Sequence, residues 1–324
     1  MDGPQRDSPK RGGPGAVSLI LALCLGVMFA LNLSTTGDPR STLAQMPNFL
    51  SDLVQQPRQN VIRLGDWPMR LFNREQETRT KSSPSLDGGP AIAIVIDDLG
   101  ADAVHTREAI ALPANVTMSF LPYPDASLAL SHRAHLAGHE IIVHLPMQPL
   151  GNENPGKNAL MSGLGEAELQ MRTSWALSRV SDFDGANNHM GSRFTSSRAD
   201  LLPVLRELRQ QGLFFLDSRT IEKTKAEAVA HELGMLTGAR DIFIDDDQSA
   251  AAVEHQLASV EQYARKKGTV IAIGHPYPQT LKSLEAWTKT IKSRGFQLLP
   301  VADVLKLRDA QHRKVSALTQ PHAD

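Results

Sequence analysis

The chain from residue 90 to residue 306 alternates short apolar runs with longer stretches of helical periodicity. This alternation is typical of βα units, which build a parallel sheet or barrel, so we predict an α/β fold. The predicted strands span 91–96, 116–121, 140–145, 213–217, 241–245 and 269–274, with a weaker strand at 296–300. The predicted helices lie near 102–111, 125–137, 166–181, 199–211, 249–267 and 279–294.

The first 35 residues combine basic residues with an apolar segment. Arg6, Lys10 and Arg11 precede the mostly apolar stretch 16–33, which is just long enough to cross a bilayer as a helix. Basic residues before such a segment favour a cytoplasmic N-terminus. We expect a cytoplasmic basic N-terminus at 1–15 and a transmembrane anchor or uncleaved signal at 16–35. The alternative is a cleaved signal peptide, and both interpretations export the remaining chain.

The segments on either side of the predicted α/β region are polar. Residues 36–89 lose clear periodicity and are rich in Pro, Gln, Arg, Ser and Gly, which predicts a flexible linker. The folded domain is expected over 90–307. Residues 308–324 are expected to form a polar, frayed tail.

Composition and charge exclude some classes of function. The 324 residues carry a formal net charge of -1, and no Lys/Arg-rich run lies within the predicted domain, so nucleic acid is not an expected partner. Cys24 is the single cysteine and lies in the apolar N-terminal segment. The chain therefore has no internal disulfide and no thiolate metal site.

Polar side chains collect where the predicted strands end. In a parallel sheet or barrel, strand ends of one sense open onto the same face, where α/β enzymes build their sites. We therefore predict one functional pocket. The residues concerned are Asp97 and Asp98 after the first strand, His144 at the end of the third, Asp217 to Arg219, Asp245 to Asp247, and His275.

Two imidazoles and one carboxylate suit Zn²⁺ or a similar borderline divalent cation, with open positions for water and substrate. Water bound to such a cation becomes a nucleophile near neutral pH if a base takes its proton. If Asp98 binds the cation, Asp97 lies beside that water as the base. The positive charge then allows two adjacent carboxylates to remain ionised together.

Several segments resemble motifs of the polysaccharide deacetylases. "IVIDDLG" resembles the family's "(T/S)FDDG" motif, "GHEIIVH" (138–144) its "GHEIGNH" segment, and "VIAIGH" (270–275) its late Leu-x-His motif. The resemblance is closest to the divergent branch and covers roughly residues 90–306. It implies a distorted (β/α)7 barrel that removes N- or O-acetyl groups from polysaccharides with a divalent metal. The divergent branch is indicated by "HLPMQP", "GANNHMGSRFT", "FFLDSRT" and "AIGHP".

The resemblance implies a role for each matching residue. Asp97 corresponds to the catalytic base, Asp98 and His144 to metal ligands, and His275 to the general acid. The family's second histidine ligand, four residues after the first, is Gln148 here.

The nearest replacement ligand is His189, expected in a Gly/Asn-rich loop after a strand. We predict Asp98, His144 and His189 as the protein ligands of the cation. Alternatively, His189 binds substrate or braces its loop. The family's Arg-x-Pro-Tyr motif is absent, although Arg193 lies in the equivalent stretch. Either Arg193 or Arg219 is expected to orient Asp97 or to face the substrate.

Other polar residues have two interpretations each. Asn187 and Asn188 either donate to an acetyl oxyanion or sugar hydroxyl, or form a turn. Asp217 either holds a ligand histidine or caps a helix. Residues 245–247 are predicted to form a solvated turn with one acid facing the pocket. His132, His135 and His139 precede the third strand and are predicted to be surface residues on the opposite face.

Together these observations predict a metal-dependent hydrolase, most simply a zinc enzyme, that removes acetyl groups from a cell-envelope polysaccharide such as peptidoglycan or an exopolysaccharide. Its N-terminal helix would anchor it in the bacterial inner membrane with the catalytic domain in the periplasm, or the domain would be secreted if the segment is cleaved. The alternative is a glycan-binding or scaffold protein that kept the barrel but lost turnover. The missing second histidine and Arg-x-Pro-Tyr motif make that alternative credible.

Overall fold

The structure is a computed structural model that describes residues 84–319, with side chains as far as Lys314. Its strands are β1 (Ala91–Leu99), β2 (Thr117–Phe120), β3 (Ile141–Met147), β4 (Gly185–Met190), β5 (Phe214–Asp217), β6 (Thr237–Ala239), β7 (Ile242–Phe243), β8 (Thr269–Gly274) and β9 (Gln297–Leu298). Its helices are α1 (Ala103–Ile110), α2 (Ser127–Leu136), α3 (Glu166–Ser178), α4 (Arg198–Gln210), α5 (Ala226–Glu232), α6 (Ala250–Lys267), α7 (Pro278–Ile291) and α8 (Val301–Thr319).

All strand pairs of the sheet are parallel, in the order β6-β5-β4-β3-β2-β1-β8-β7, and β9 pairs with the start of β1. β1 is central, with β2 on one side and β8 on the other. Its first seven residues are buried, which explains why "AIAIVI" is a continuous apolar run rather than an alternating one. The predicted parallel α/β fold is confirmed.

The sheet curls into a half-barrel because its two edge strands are neighbours in the chain. Only Arg240 and Asp241 separate β6 from β7. The backbone N–H of Arg240 donates to the carbonyl of Asp217 in β5, and that of Asp241 donates to the carbonyl of Ile271 in β8. One extended segment thus links both edges. Within residues 84–319 the sheet has nine strands, so the prediction of seven βα units in a barrel is corrected to a nine-stranded parallel half-barrel.

The two faces of the sheet pack against different helices. On β1, Ile92, Ile94 and Ile96 join the larger apolar cluster, to which α1 to α7 contribute. The alternate residues of the same strand, together with Ile142 and Ile273, join a smaller cluster covered by α8. We call this second surface the inner face. Because side chains alternate along a strand, each strand presents every second residue to it.

Most predicted elements are confirmed to within a few residues, but four were missed. The elements without a counterpart among the predicted ones are β4, β6, α5 and α8. The predicted loop around His189 is wrong, because β4 pairs along its whole length with β3. The first residue of β4 is a glycine, Gly185, because a Cβ at this position would lie only 2.6 Å from the Phe214 ring of β5.

The predicted polar tail from Arg308 is also wrong at its start. α8 continues to Thr319, and the Arg308 guanidinium donates to the Ala239 carbonyl and pairs with the carboxylate of Asp241. Arg308 therefore attaches α8 to the segment that joins the two sheet edges. Residues 308–314 are part of the fold rather than a frayed extension.

The predicted cytoplasmic N-terminus, transmembrane anchor and linker lie outside the described residues, and so do residues 320–324. In the part of the chain that the structure describes, no helix combines the length and the apolar character needed to cross a membrane.

The three histidines before β3 differ in burial. His132 and His135 are exposed, as predicted, but His139 is buried and its prediction as a surface residue is wrong. Its Nδ1 lies 2.8 Å from the carbonyl oxygen of Val116 and its Nε2 lies 3.0 Å from that of Ile110. The imidazole is thus held between two buried backbone carbonyls, and each of its N–H groups can donate to one of them.

We predict that His139→Ala lowers the free energy of unfolding by about 1–3 kcal/mol, because the buried backbone loses a hydrogen bond from the imidazole and the side chain leaves a cavity. Urea denaturation measures the change. The matched control, His135→Ala, removes an exposed side chain and should stay within about 0.5 kcal/mol of the wild type. Equal effects of the two substitutions would contradict the bracing role of His139.

Candidate functional site

The inner face changes from apolar to polar at the carboxyl ends of the strands. We call the end of the half-barrel formed by these carboxyl ends the mouth. On five strands an inner-face residue is followed two positions later by a polar residue that lies at this mouth. These pairs are Val95 and Asp97, Thr117 and Ser119, Ile142 and His144, Leu216 and Ser218, and Ile273 and His275.

A bulge in β1 directs two adjacent carboxylates to this mouth. Ile96 pairs with Met118 and Leu99 with Phe120, so β1 uses one residue more than β2 over this interval. Asp98 takes up the extra residue in the left-handed region, at φ 59°. Neighbouring residues of a regular strand point to opposite faces, whereas a bulge re-aims one of them. The backbone strain at Asp98 is typical of a functional site.

Asp98, His144 and His189 form a compact triangle of candidate ligand atoms. Asp98 Oδ1 lies 3.2 Å from His144 Nε2 and 2.8 Å from His189 Nδ1, and the two nitrogens are 3.2 Å apart. A tetrahedral zinc ion with bonds near 2.0–2.1 Å separates its ligand atoms by about 3.3 Å. These three form the one such group among residues 84–314.

The burial and hydrogen bonding of Asp98 Oδ1 indicate whether this triangle suits a cation. The atom is buried and makes no hydrogen bond of acceptable geometry to any described residue, although two imidazole nitrogens lie beside it. A buried carboxylate oxygen without a hydrogen bond is costly unless a positive charge compensates it. The donor set therefore fits a divalent cation with mixed nitrogen and oxygen ligands.

Asn187 connects this triangle to Asp97. Its Oδ1 accepts from His144 Nδ1 and from Ser119 Oγ, both at 2.8 Å. Its Nδ2 donates to Asp97 Oδ1 at 2.8 Å. The other oxygen of Asp97, Oδ2, lies 3.6 Å from His144 Nε2 and so faces the candidate ligand atoms.

His275 is held by Asp245 at the end of β8. Asp245 Oδ1 lies 2.9 Å from His275 Nδ1, and Oδ2 accepts from the His275 backbone N–H and from the hydroxyl of Thr280. Asp245 is buried, whereas Asp246 and Asp247 are exposed. The His275 ring also packs between Phe243 and Tyr277.

Burial and neighbouring charges shift the pKa values of the site residues in opposite directions. Burial alone would raise the pKa of Asp98, but the imidazoles of His144 and His189 lower it well below its usual range. Burial would lower the pKa of His144, yet the charge of Asp97 and the contact with Asp98 raise it. For His275, burial is likewise outweighed by Asp245 and then by Asp97 and Asp98, which raise its pKa to about 9.

The two asparagines are strand residues rather than turn residues, and both are buried. Asn187 uses its amide hydrogens on Asp97 and on Ser218 Oγ. Asn188 donates to the Met190 carbonyl and accepts from the Ser218 backbone N–H. Their side chains therefore brace the site in this structure, and their prediction as substrate donors stays untested.

Asp217 acts as a cap in this structure. Its carboxylate accepts from the backbone of Arg219, the hydroxyl of Thr224 and the backbone of Glu227, at the start of α5. Burial raises its pKa, since these hydrogen bonds offset only part of that cost. The helix-cap interpretation thus matches the observed contacts, and no contact joins Asp217 to a ligand histidine among the described side chains.

Gln148, Arg193 and Arg219 surround the mouth without reaching the triangle through any described contact. Gln148 Oε1 accepts from the Ser162 backbone N–H, and the Gln148 carbonyl accepts from the Arg193 backbone. Arg193 and Arg219 are exposed. Their predicted roles toward substrate or toward Asp97 stay predictions.

Sequence reasoning missed three residues near the site, Ser119, Tyr123 and Tyr277. Ser119 donates to Asn187 Oδ1, and its position two residues beyond Thr117 on the inner face was the available signal. Ser218, which accepts from Asn187 Nδ2, was already among the predicted strand-end residues. Tyr123 and Tyr277 are half-buried, and burial together with the charge of Asp98 raises the pKa of both phenols. No local pattern distinguishes these tyrosines.

Comparison with known proteins identifies related chains. Residues 94–305 match the family model of the divergent polysaccharide deacetylases. The uncharacterized protein YibQ of Escherichia coli K12 is 36% identical over 204 residues, which cover 63% of each chain. An uncharacterized protein of Haemophilus influenzae is 36% identical over 200 residues, covering 62% of this chain and 71% of the relative.

A solved structure has a similar fold. The crystal structure of protein ATU2773 from Agrobacterium tumefaciens C58 superposes with a TM-score of 0.66 at 26% identity. The match covers 70% of this chain and 93% of that one. Nearly the whole of the Agrobacterium protein therefore has the same fold as the matched part of this chain.

We predict that Asp245→Asn lowers the pKa of His275 from about 9 to below its usual value near 6.5, because burial then outweighs the remaining charges. NMR titration of the His275 imidazole in chelator-treated protein measures this change. Asp246→Asn, which alters an exposed neighbour, should leave the titration of His275 unchanged, and an unshifted pKa in Asp245→Asn would contradict the pairing.

The raised pKa of His275 also implies that its pairing with Asp245 stabilises the fold fully below pH ~6.5 and less as the pH rises through 9.

Proposed function

This chain belongs to the divergent polysaccharide deacetylase family, and we propose that it is a metal-dependent hydrolase that removes acetyl groups from a cell-envelope polysaccharide. The observation that carries the proposal is the triangle of Asp98, His144 and His189 beside the buried carboxylate of Asp97. A binding protein has no need for a strained carboxylate, a second acid and a paired imidazole at one mouth. A hydrolase uses each of them.

The proposed cofactor is Zn²⁺, held by Asp98, His144 and His189. Two imidazole nitrogens and one carboxylate oxygen are a common ligand set of catalytic zinc, which keeps a further position open. A divalent cation there would polarise an acetyl carbonyl and acidify a water molecule. His189 takes the place of the histidine that ordinary deacetylases have at the position of Gln148, because β4 lies beside β3 and Pro146 pairs with His189.

Asp97 is the proposed general base. Its Oδ1 is held by Asn187, so Oδ2 keeps one direction, toward the ligand atoms. As the oxygen of water bonds to the acetyl carbon, its proton passes to Asp97. The carboxylate is buried, which removes competition from bulk water.

His275 is the proposed general acid. Its pKa of about 9 keeps the imidazole protonated near neutral pH, and Asp245 fixes its orientation through Nδ1. Nε2 is then free to donate its proton to the leaving sugar nitrogen or oxygen as the bond to the acetyl carbon breaks. Acetate and the free amine or hydroxyl of the sugar are the products.

The half-buried Tyr123 and Tyr277 follow β2 and β8, the two strands that flank β1. Both phenols sense the charge of Asp98, so both lie near the candidate ligands. We propose that their rings border the groove in which a sugar chain binds. Arg193 and Arg219 are proposed to contact the same polysaccharide from the rim.

The proposed location is the periplasmic side of a bacterial inner membrane, with residues 16–33 as the anchor or as a cleaved signal. Its support is the apolar stretch preceded by Arg6, Lys10 and Arg11. Protease treatment of spheroplasts should degrade the domain. A domain protected in spheroplasts but degraded after lysis would contradict an exported location.

We predict that the purified protein releases acetate from acetylated oligosaccharides in the presence of Zn²⁺, and that a chelator abolishes the release. Asp97→Asn should lower kcat/KM roughly 10²–10⁴-fold while zinc content stays unchanged, because the substitution removes the base and no ligand. The exposed control Asp246→Asn should keep the wild-type rate.

Zinc analysis of two further variants separates ligand from non-ligand histidines. His189→Ala should lose bound zinc, whereas the exposed His135→Ala should keep it. Zinc binding without acetate release from N- and O-acetylated glycans would reject the enzyme and favour a glycan-binding or scaffold protein. Zinc retained by His189→Ala would reject the ligand set.

A further inference from the structure

The carboxamide of Asn187 lies at the centre of the polar inner face. The side chain is fully buried on β4, and it contacts four other side chains. Its Oδ1 is 2.8 Å from both Ser119 Oγ and His144 Nδ1, and its Nδ2 is 2.8 Å from Asp97 Oδ1 and 3.2 Å from Ser218 Oγ. One amide thus joins a candidate metal ligand to the candidate base.

The orientation of this amide follows from its partners. The carboxylate of Asp97 accepts hydrogen bonds and donates none when ionised, so the amide nitrogen must face it. The reverse orientation would place two acceptor oxygens 2.8 Å apart. Asn187 Oδ1 therefore faces His144 and Ser119.

This orientation selects one tautomer of His144. An amide oxygen only accepts, so His144 Nδ1 must carry the hydrogen that lies between them. In the neutral imidazole, Nε2 then has a free lone pair, which points toward Asp98 and His189. Metal-binding histidines commonly have their second nitrogen fixed in this way by a hydrogen-bond acceptor.

The same amide sets the direction of Asp97. Because Nδ2 holds Oδ1, the free oxygen Oδ2 is the one directed at the candidate ligand atoms. Both contacts come from one rigid planar group, so the ligand and the base cannot rotate independently. The side chain of the neighbouring Asn188, also buried on β4, forms its hydrogen bonds within residues 84–314 with backbone groups, the Met190 carbonyl and the Ser218 N–H.

We propose that Asn187 is a positioning residue that holds His144 in the Nδ1–H tautomer, with Nε2 free for the cation, and at the same time directs Asp97 Oδ2 toward it. Its catalytic consequence rests on the proposed deacetylase function. Its effect on His144 and on metal affinity does not.

Three variants of the full chain test this role. Asn187→Leu keeps the approximate shape but removes the acceptor and the donor together. Asn187→Asp keeps an acceptor for His144 Nδ1 but replaces the amide donor with a second carboxyl group, which either repels Asp97 or shares a proton with it and so impairs the base. Asn188→Leu is the matched control, a buried amide on the same strand that faces away from the ligand triangle.

The first measurement is the tautomer of His144 in metal-free protein, read from long-range ¹H–¹⁵N correlation spectra at a pH that deprotonates this imidazole. We expect the Nδ1–H form in the wild type, in Asn187→Asp and in Asn188→Leu, and loss of that preference in Asn187→Leu. Zinc affinity should fall about 10–100-fold in Asn187→Leu and stay near the wild-type value in Asn188→Leu. Circular dichroism establishes that each variant is folded.

Acetate release by the same protein samples distinguishes the positioning role of Asn187 from the proposed deacetylase function. Asn187→Asp should keep zinc but lose kcat with little change in KM, because only the base is misdirected. A folded Asn187→Leu with the wild-type tautomer and zinc affinity overturns the inference, and so does an Asn187→Asp with wild-type kcat. If Asn187→Leu fails to fold, the Asn187→Asp result decides. A wild type that shows the expected tautomer and zinc affinity but releases no acetate rejects the deacetylase function and leaves the positioning of His144 intact.

Discussion

The alternation of side chains on parallel strands in register is the constraint on which the site depends. Every strand presents alternate residues to the inner face, and parallel pairing aligns their carboxyl ends at one mouth. Apolar inner-face residues therefore form the floor, covered by α8, and polar ones form the rim. The bulge at Asp98 interrupts this pattern and adds the second carboxylate, which a strict alternation would direct to the outer face.

The charges at the mouth are arranged so that each is compensated by another. Asp98 is stabilised as an anion by two imidazoles, and His275 is stabilised as a cation by Asp245. The two groups belong to neighbouring strands of the sheet, β1 and β8, and the charges of Asp97 and Asp98 also help to raise the pKa of His275. Under the proposed function, Asp98 and its two imidazoles would bind the cation while His275 holds a proton, a division of roles that suits an acyl-transfer hydrolase.

The polar network makes the site rigid at the cost of local strain. Asp98 and Met190 both have left-handed backbone conformations, one at the end of β1 and the other at the end of β4. Asn187 lies between them and uses its whole hydrogen-bonding capacity on neighbouring side chains. Because all of these positions on Asn187 are occupied, another orientation of its amide would leave a polar group unsatisfied, which favours one arrangement of His144 and Asp97.

Local periodicity in the sequence determined the positions of most strands and helices, the parallel α/β class and the row of acids and histidines at the strand ends. It did so because burial and side-chain alternation act within a few residues. The polar "GANNHM" has no apolar alternation, so only its pairing with β3 makes it a strand and places His189 beside His144. The bulge at Asp98, the double contact of Asn187 and the pairing of Asp245 with His275 were likewise decided by the tertiary structure. Each depends on the register between segments 21 to 90 residues apart in the chain, and no local pattern records that register.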